Sequence, residues 1–114
     1  MTALLTGALA LAASAAPAHS LLLAATPAPG ATLPAAPPRL TLRFNNRMET
    51  ALSALRLVHP GGTARTLPLV PSAGPDQLTA NLPALPAGSY RVEWQVLSTD
   101  GHIVRGSFPF QIGR

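Results

Sequence analysis

The stretch Tyr-Arg-Val-Glu-Trp-Gln-Val at residues 90–96 decides the fold class of this chain of 114 residues. Its apolar side chains occupy every second position, and arginine, glutamate and glutamine stand between them. Successive side chains of a strand point to opposite faces of a sheet. The pattern therefore predicts a β-strand with one buried and one solvated face.

Shorter alternating runs lie on both sides of this stretch, and proline and glycine clusters separate them. No segment shows ten residues of helical periodicity, and a proline inside a helix costs about 3 kcal/mol, which argues against a bundle in a chain with 13 prolines. Such spacing predicts an all-β fold, an antiparallel sandwich or Greek-key barrel. The runs are Leu40–Phe44, Leu55–Leu57, Leu78–Leu82 and Phe108–Ile112.

Two aromatic residues of the central stretch have predicted structural roles. The segment Leu85–Tyr90 resembles a tyrosine corner, in which a tyrosine hydroxyl fixes the crossover between two sheets. Trp94 lies on the alternating apolar face, so we predict that it belongs to the core and is not a binding platform.

The composition excludes several functional classes. Charged residues make up only 11% of the chain, and its net charge of +4 comes from eight basic residues, all arginine, against four acids. No two arginines are adjacent, whereas a nucleic-acid-binding protein would cluster them. The sequence has no cysteine, which excludes disulfide scaffolds, thiolate zinc sites, iron–sulfur clusters and type-1 copper centres.

The first 18 residues have the pattern of a secretory signal peptide. Ala3–Ala16 is apolar and uncharged, but it is shorter than the roughly 20 residues that span a membrane. The small-x-small sequence at residues 16–18 predicts cleavage after Ala18, although the usual basic residue near the start is missing. We therefore expect a signal peptide at 1–18, one exported domain at 19–114 and a periplasmic location.

Cleavage at that bond would make His19 the N-terminal residue, and a histidine at that position is a candidate metal ligand. The amine and imidazole of an N-terminal histidine can chelate one metal ion, and Cu(II) favours such nitrogen and oxygen donors. Asp100 and His102 share one face if their backbone is extended, so they are further candidates. An Asp-Gly pair also marks hairpin turns, however, where His102 would be a solvated residue. His59 is interpreted as a polar residue at a loop entrance.

Residues 19–114 resemble the CopC family of periplasmic copper-resistance proteins in the order and spacing of several motifs. The most specific is Val-Leu-Ser-Thr-Asp-Gly-His at residues 96–102. The others are His19, Thr26–Gly30, Leu40–Phe44, Leu85–Trp94 and Gly106–Phe110.

The resemblance implies a small Greek-key β-barrel, immunoglobulin-like or cupredoxin-like, that binds one Cu(II) ion. The implied ligands are His19, through its amine and imidazole, Asp100 and His102. Asn46 stands where some members have an additional glutamate, and Glu49 lies nearby. Met48 is the only methionine after the signal, so a methionine-rich Cu(I) site is not expected.

The implied function is copper sequestration, resistance or delivery to a CopD-type inner-membrane protein, by a monomer without catalytic activity. One alternative is a copper oxidase of the histidine-brace type, similar to lytic polysaccharide monooxygenases. Such an enzyme uses a second histidine, an open position for oxygen and a broad aromatic surface. Another alternative is an immunoglobulin-like module that binds no metal.

Overall fold

The computed structural model describes residues 20–113, which form nine β-strands and one short 3-10 turn. The proposed signal peptide, its cleavage bond and His19 lie outside the described residues. The strands are β1 (Leu22–Thr26), β2 (Thr32–Leu33), β3 (Arg39–Phe44), β4 (Ala54–Val58), β5 (Ala64–Leu67), β6 (Leu69–Val70), β7 (Gln77–Asn81), β8 (Gly88–Leu97) and β9 (Ile103–Ile112), and the 3-10 turn is Thr50–Leu52.

The strands form two sheets, which confirms the predicted all-β fold. One sheet has the order β1-β3-β7-β6, and the other has the order β2-β9-β8-β4-β5. Pairing is antiparallel except between β2 and β9, where Thr32 pairs with Gln111 in parallel. This one pair departs from the antiparallel expectation, because the short β2 lies at the edge of the second sheet and runs parallel to β9.

The core is formed by alternate residues of the longer strands, as the sequence pattern predicts. Trp94 is half-buried, and its ring meets the ring of Phe44 edge-on at 5.1 Å between centroids. A Cβ atom at Gly106, its partner on β9, would overlap the indole ring. The fully buried side chains include Leu40, Leu42, Phe44, Leu55, Leu57, Leu78, Val92 and Val96.

The predicted tyrosine corner is also confirmed. The hydroxyl of Tyr90 donates to the carbonyl oxygen of Pro86 at 2.7 Å, and its ring stacks on Phe110. The imidazole of His59 packs edge-on against the same tyrosine ring, with its Nδ1 atom buried. This end of the sandwich is therefore closed by packed rings.

Within residues 20–113, no helix is both long and apolar enough to cross a membrane.

Candidate metal centre

The candidate centre lies at the turn between β8 and β9. These strands pair at ten successive positions, from Gly88 with Ile112 to Leu97 with Ile103, and the connection is residues 98–102. The amide of Ser98 donates to the carbonyl of His102, and the amide of Gly101 donates to the carbonyl of Ser98, each at 2.9 Å. Gly101 has a φ angle of +90°, which glycine adopts without a Cβ penalty. The pairing and these bonds fix the shape of the turn.

The turn brings the side chains of Asp100 and His102 together. The Nδ1 atom of His102 lies 2.9 Å from Oδ2 of Asp100, and the backbone amide of His102 donates to Oδ1 at 3.2 Å. The side chain of His102 is 64% exposed and that of Asp100 is 25% exposed. The backbone here is a turn and not extended, so the expected approach of the two residues arises from the turn.

This contact determines which ring nitrogen can bind a metal. An ionised carboxylate only accepts hydrogen bonds, so the Nδ1 atom of a neutral His102 carries the proton that it donates to Asp100. The lone pair of the imidazole then resides on Nε2, on the side of the ring away from Asp100. Both side chains can therefore bind one ion only when this hydrogen bond opens. Carboxylates commonly orient metal-binding histidines in this way. The turn therefore offers an imidazole nitrogen and carboxylate oxygens, donors that Cu(II) accepts.

The beginning of the described chain is held at the same turn. Ser20 is 1% exposed, and its amide donates to the hydroxyl oxygen of Ser98 at 3.2 Å. The two serine hydroxyls lie 2.9 Å apart. His19 precedes Ser20 in the sequence, and its proposed role as a ligand stays a prediction.

The other residues considered near the site have different environments. Asn46 is half-buried and accepts a hydrogen bond from the Ser20 hydroxyl at 2.9 Å, whereas Glu49 is exposed. Met48 is buried and forms an isolated bridge with Ser98. His59 lies beside Tyr90, near the start of β8, and Asp100 and His102 follow the end of that strand. Among residues 20–113, no three His, Cys, Asp or Glu side chains form a group that could hold a metal.

Ser98 lies in the motif at residues 96–102, but sequence reasoning did not predict its contact with Ser20. Serine is common in loops, and these two residues are 78 positions apart. No local pattern predicts that they are buried against each other. Only the packing of β1, β3 and β8 brings them into contact.

The chain belongs to the CopC domain family, whose model matches residues 22–113. It is 35% identical over 103 residues to copper resistance protein C of Pseudomonas syringae pv. tomato, covering 83% of this chain and 81% of that protein. It is 34% identical over 99 residues to protein YobA of Escherichia coli strain K12, covering 83% and 79%.

The fold is also similar to that of a solved member of the family. The crystal structure of CopC from Methylosinus trichosporium OB3b superposes with a TM-score of 0.74 at 35% sequence identity. The similarity covers 82% of this chain and 93% of that one. The resemblance inferred from the motifs is therefore confirmed.

Proposed function

We propose that this protein binds one Cu(II) ion at the β8–β9 turn and sequesters or carries it as cargo. The proposed donors are the amine and imidazole of His19, a carboxylate oxygen of Asp100 and the imidazole of His102. The observation that carries the proposal is the anchoring of Ser20, the residue bonded to His19, on Ser98 in the turn that holds Asp100 and His102. The names of the relatives support copper as the metal.

The chemistry of the donors favours the cupric ion. Three nitrogens and one carboxylate oxygen suit the tetragonal coordination of Cu(II). Cu(I) prefers soft sulfur ligands, and Met48 is the only thioether in residues 19–114. Its side chain is buried in the core, where it packs with apolar neighbours.

The placement of the aromatic residues supports a binding protein over a polysaccharide oxidase. The sequence has three phenylalanines, one tyrosine and one tryptophan, and all five lie within residues 20–113. Four of them are at most 4% exposed, and Trp94 is half-buried against Phe44. An oxidase of that kind uses exposed rings to bind its polymer. We therefore propose that copper is bound without catalytic turnover.

The proposal extends to location and partner. The pattern at residues 3–18 favours export and cleavage before His19, which places the amine of that residue at the N-terminus. We infer that the processed monomer works in the periplasm and delivers copper to a CopD-type inner-membrane protein. An intact mass for a periplasmic form that begins at any other residue would contradict this processing.

The test is Cu(II) titration of the processed protein, with electron paramagnetic resonance of the bound ion. His102→Ala removes an exposed nitrogen donor, and Asp100→Ala removes the carboxylate, so each variant should bind far more weakly while its circular dichroism stays unchanged. His59→Ala is the matched control, because that imidazole packs on Tyr90 at the other end of β8. An equal loss of affinity in His59→Ala and His102→Ala would refute the ligand assignment. Oxygen consumption with ascorbate would support the oxidase instead.

A further inference from the structure

A small buried network joins the start of the described chain to the β8–β9 turn. The hydroxyl of Ser20 donates its single proton to Oδ1 of Asn46 at 2.9 Å. The hydrogen bond between the two serine hydroxyls must therefore use the proton of Ser98, which donates to Ser20. In return, the amide of Ser20 donates to the hydroxyl oxygen of Ser98. Both serines are 1% exposed, so no bulk water competes for these bonds.

The next residue of the chain is held in the same way. The amide of Leu21 donates to the side-chain oxygen of Asn45 at 2.9 Å, and the amide of Asn45 donates to the carbonyl of Leu21 at 3.0 Å. Asn45 and Asn46 directly follow β3. The first two described residues, Ser20 and Leu21, are thus held in place ahead of the regular pairing of β1 with β3.

Ser98 connects this network to the candidate ligands through its backbone. Its amide and carbonyl bind His102 and Gly101, and these bonds close the turn around Asp100. Its side chain holds Ser20. Ser98 therefore fixes the turn with its main chain and holds Ser20, the first described residue, with its hydroxyl.

We propose that Ser98 is a positioning residue for copper, acting through Ser20 to hold the polypeptide that follows His19 against the Asp100–His102 turn. This inference rests on the proposed function. The hydroxyl touches no metal in this scheme, and its effect is preorganisation. Without the Ser98 hydroxyl, the segment around Ser20 would have to become ordered when copper binds. The conformational entropy lost in that step would lower the affinity for copper.

The experiment compares two variants that each lose a hydroxyl. Ser98→Ala removes both hydrogen bonds to Ser20. Ser72→Ala is the control, because it removes a bond of equal length, 2.9 Å, to Thr79 in the other sheet. We expect copper affinity to fall about 10- to 100-fold in Ser98→Ala, the range typical for residues that support metal ligands. Ser72→Ala should bind like the unmodified protein.

Amide exchange in the metal-free protein separates positioning from a general loss of stability. The Ser20 amide should exchange slowly in the unmodified protein and in Ser72→Ala, and much faster in Ser98→Ala. Copper bound to Ser98→Ala should also give an altered or heterogeneous resonance spectrum. Unchanged exchange at Ser20 would overturn the proposal.

Comparison with His102→Ala separates this inference from the proposed function. If His102→Ala loses copper while Ser98→Ala keeps the affinity and spectrum of the control, Ser98 has no positioning role and the proposed function stands. If His102→Ala binds copper normally, the proposed function fails, and the inference fails with it.

Discussion

Asp100 acts on His102 through two hydrogen bonds, one to the ring and one to the backbone amide. The first selects the imidazole tautomer, and the second fixes the backbone that carries the ring. Asp100 therefore orients His102 in the metal-free protein. In the proposed site it would bind the ion through its own oxygen atoms once the hydrogen bond to the ring opens. A conservative substitution can test the orienting role.

Asp100→Asn should lower the affinity for Cu(II) about 10- to 100-fold. The backbone amide of His102 can donate only to the remaining oxygen of asparagine, which turns the side-chain NH₂ group toward Nδ1. That group donates and cannot accept, so the variant favours the tautomer with the proton on Nε2 of His102. Nitrogen-15 NMR of the metal-free protein should show this change of tautomer. Glu93→Gln, which neutralises a carboxylate 3.6 Å from Arg56, is the control and should leave both measurements unchanged. A normal tautomer and normal affinity in Asp100→Asn would contradict the prediction.

For single residues, the sequence predicts contacts between positions that are close in the chain and misses contacts between distant positions. Asp100 and His102 are two positions apart, so a turn can join them, and their pairing could be anticipated. Ser20 and Ser98 meet only because separate strands pack together. The role of His19 stays a prediction that rests on its position after the proposed cleavage site.

At the scale of strands, the alternation of apolar and polar residues predicts those strands that have one buried and one exposed face. The runs at Leu40–Phe44 and 90–96 lie within β3 and β8. The short strands β2, β5 and β6 were missed, because two to four residues carry too little pattern and their pairing depends on neighbouring strands. β9 begins at Ile103, five residues before the aromatic run, because β8 pairs with it over its full length.

Gly106→Ala should destabilise the β8–β9 hairpin by about 1–3 kcal/mol, the usual cost of overpacking a core. The new methyl group would overlap the ring of Trp94, which cannot withdraw freely because Phe44 packs against it. Urea unfolding would measure the loss, and the fluorescence of this single tryptophan should shift. Ser107→Ala, on the exposed face of the same strand, should change the free energy of unfolding by less than about 0.5 kcal/mol. Equal stability of the two variants would show that the ring has room to move.

For the whole molecule, the proposed site depends on where the chain begins. A form that carries an added Met-Ala directly before His19 converts the proposed amine ligand into a peptide nitrogen and places the free terminus two residues away. Ser20 can still bind Ser98, so the fold should be unchanged.

The extended form should bind Cu(II) at least about tenfold more weakly, since even supporting residues typically contribute that much. Its resonance spectrum should differ from that of the processed form, and its circular dichroism should not. Affinity of the processed form should also fall in acid, because the amine and imidazole must lose protons to bind. Equal affinities and identical spectra with and without the extension would show that the amine is not coordinated.

The separation of Ser20 and Ser98 by 78 positions has a consequence for the order of folding and metal binding. A chain that is synthesised from its N-terminus presents Ser20 well before Ser98. The cyclic hydrogen bonds between them close a long loop, and a long loop closes only when the strands inside it have found their partners. If the proposed site is correct, metal capture at this turn follows folding and does not guide it. An unfinished or misfolded molecule would then lack the assembled site, so copper bound with full affinity would indicate a completed fold.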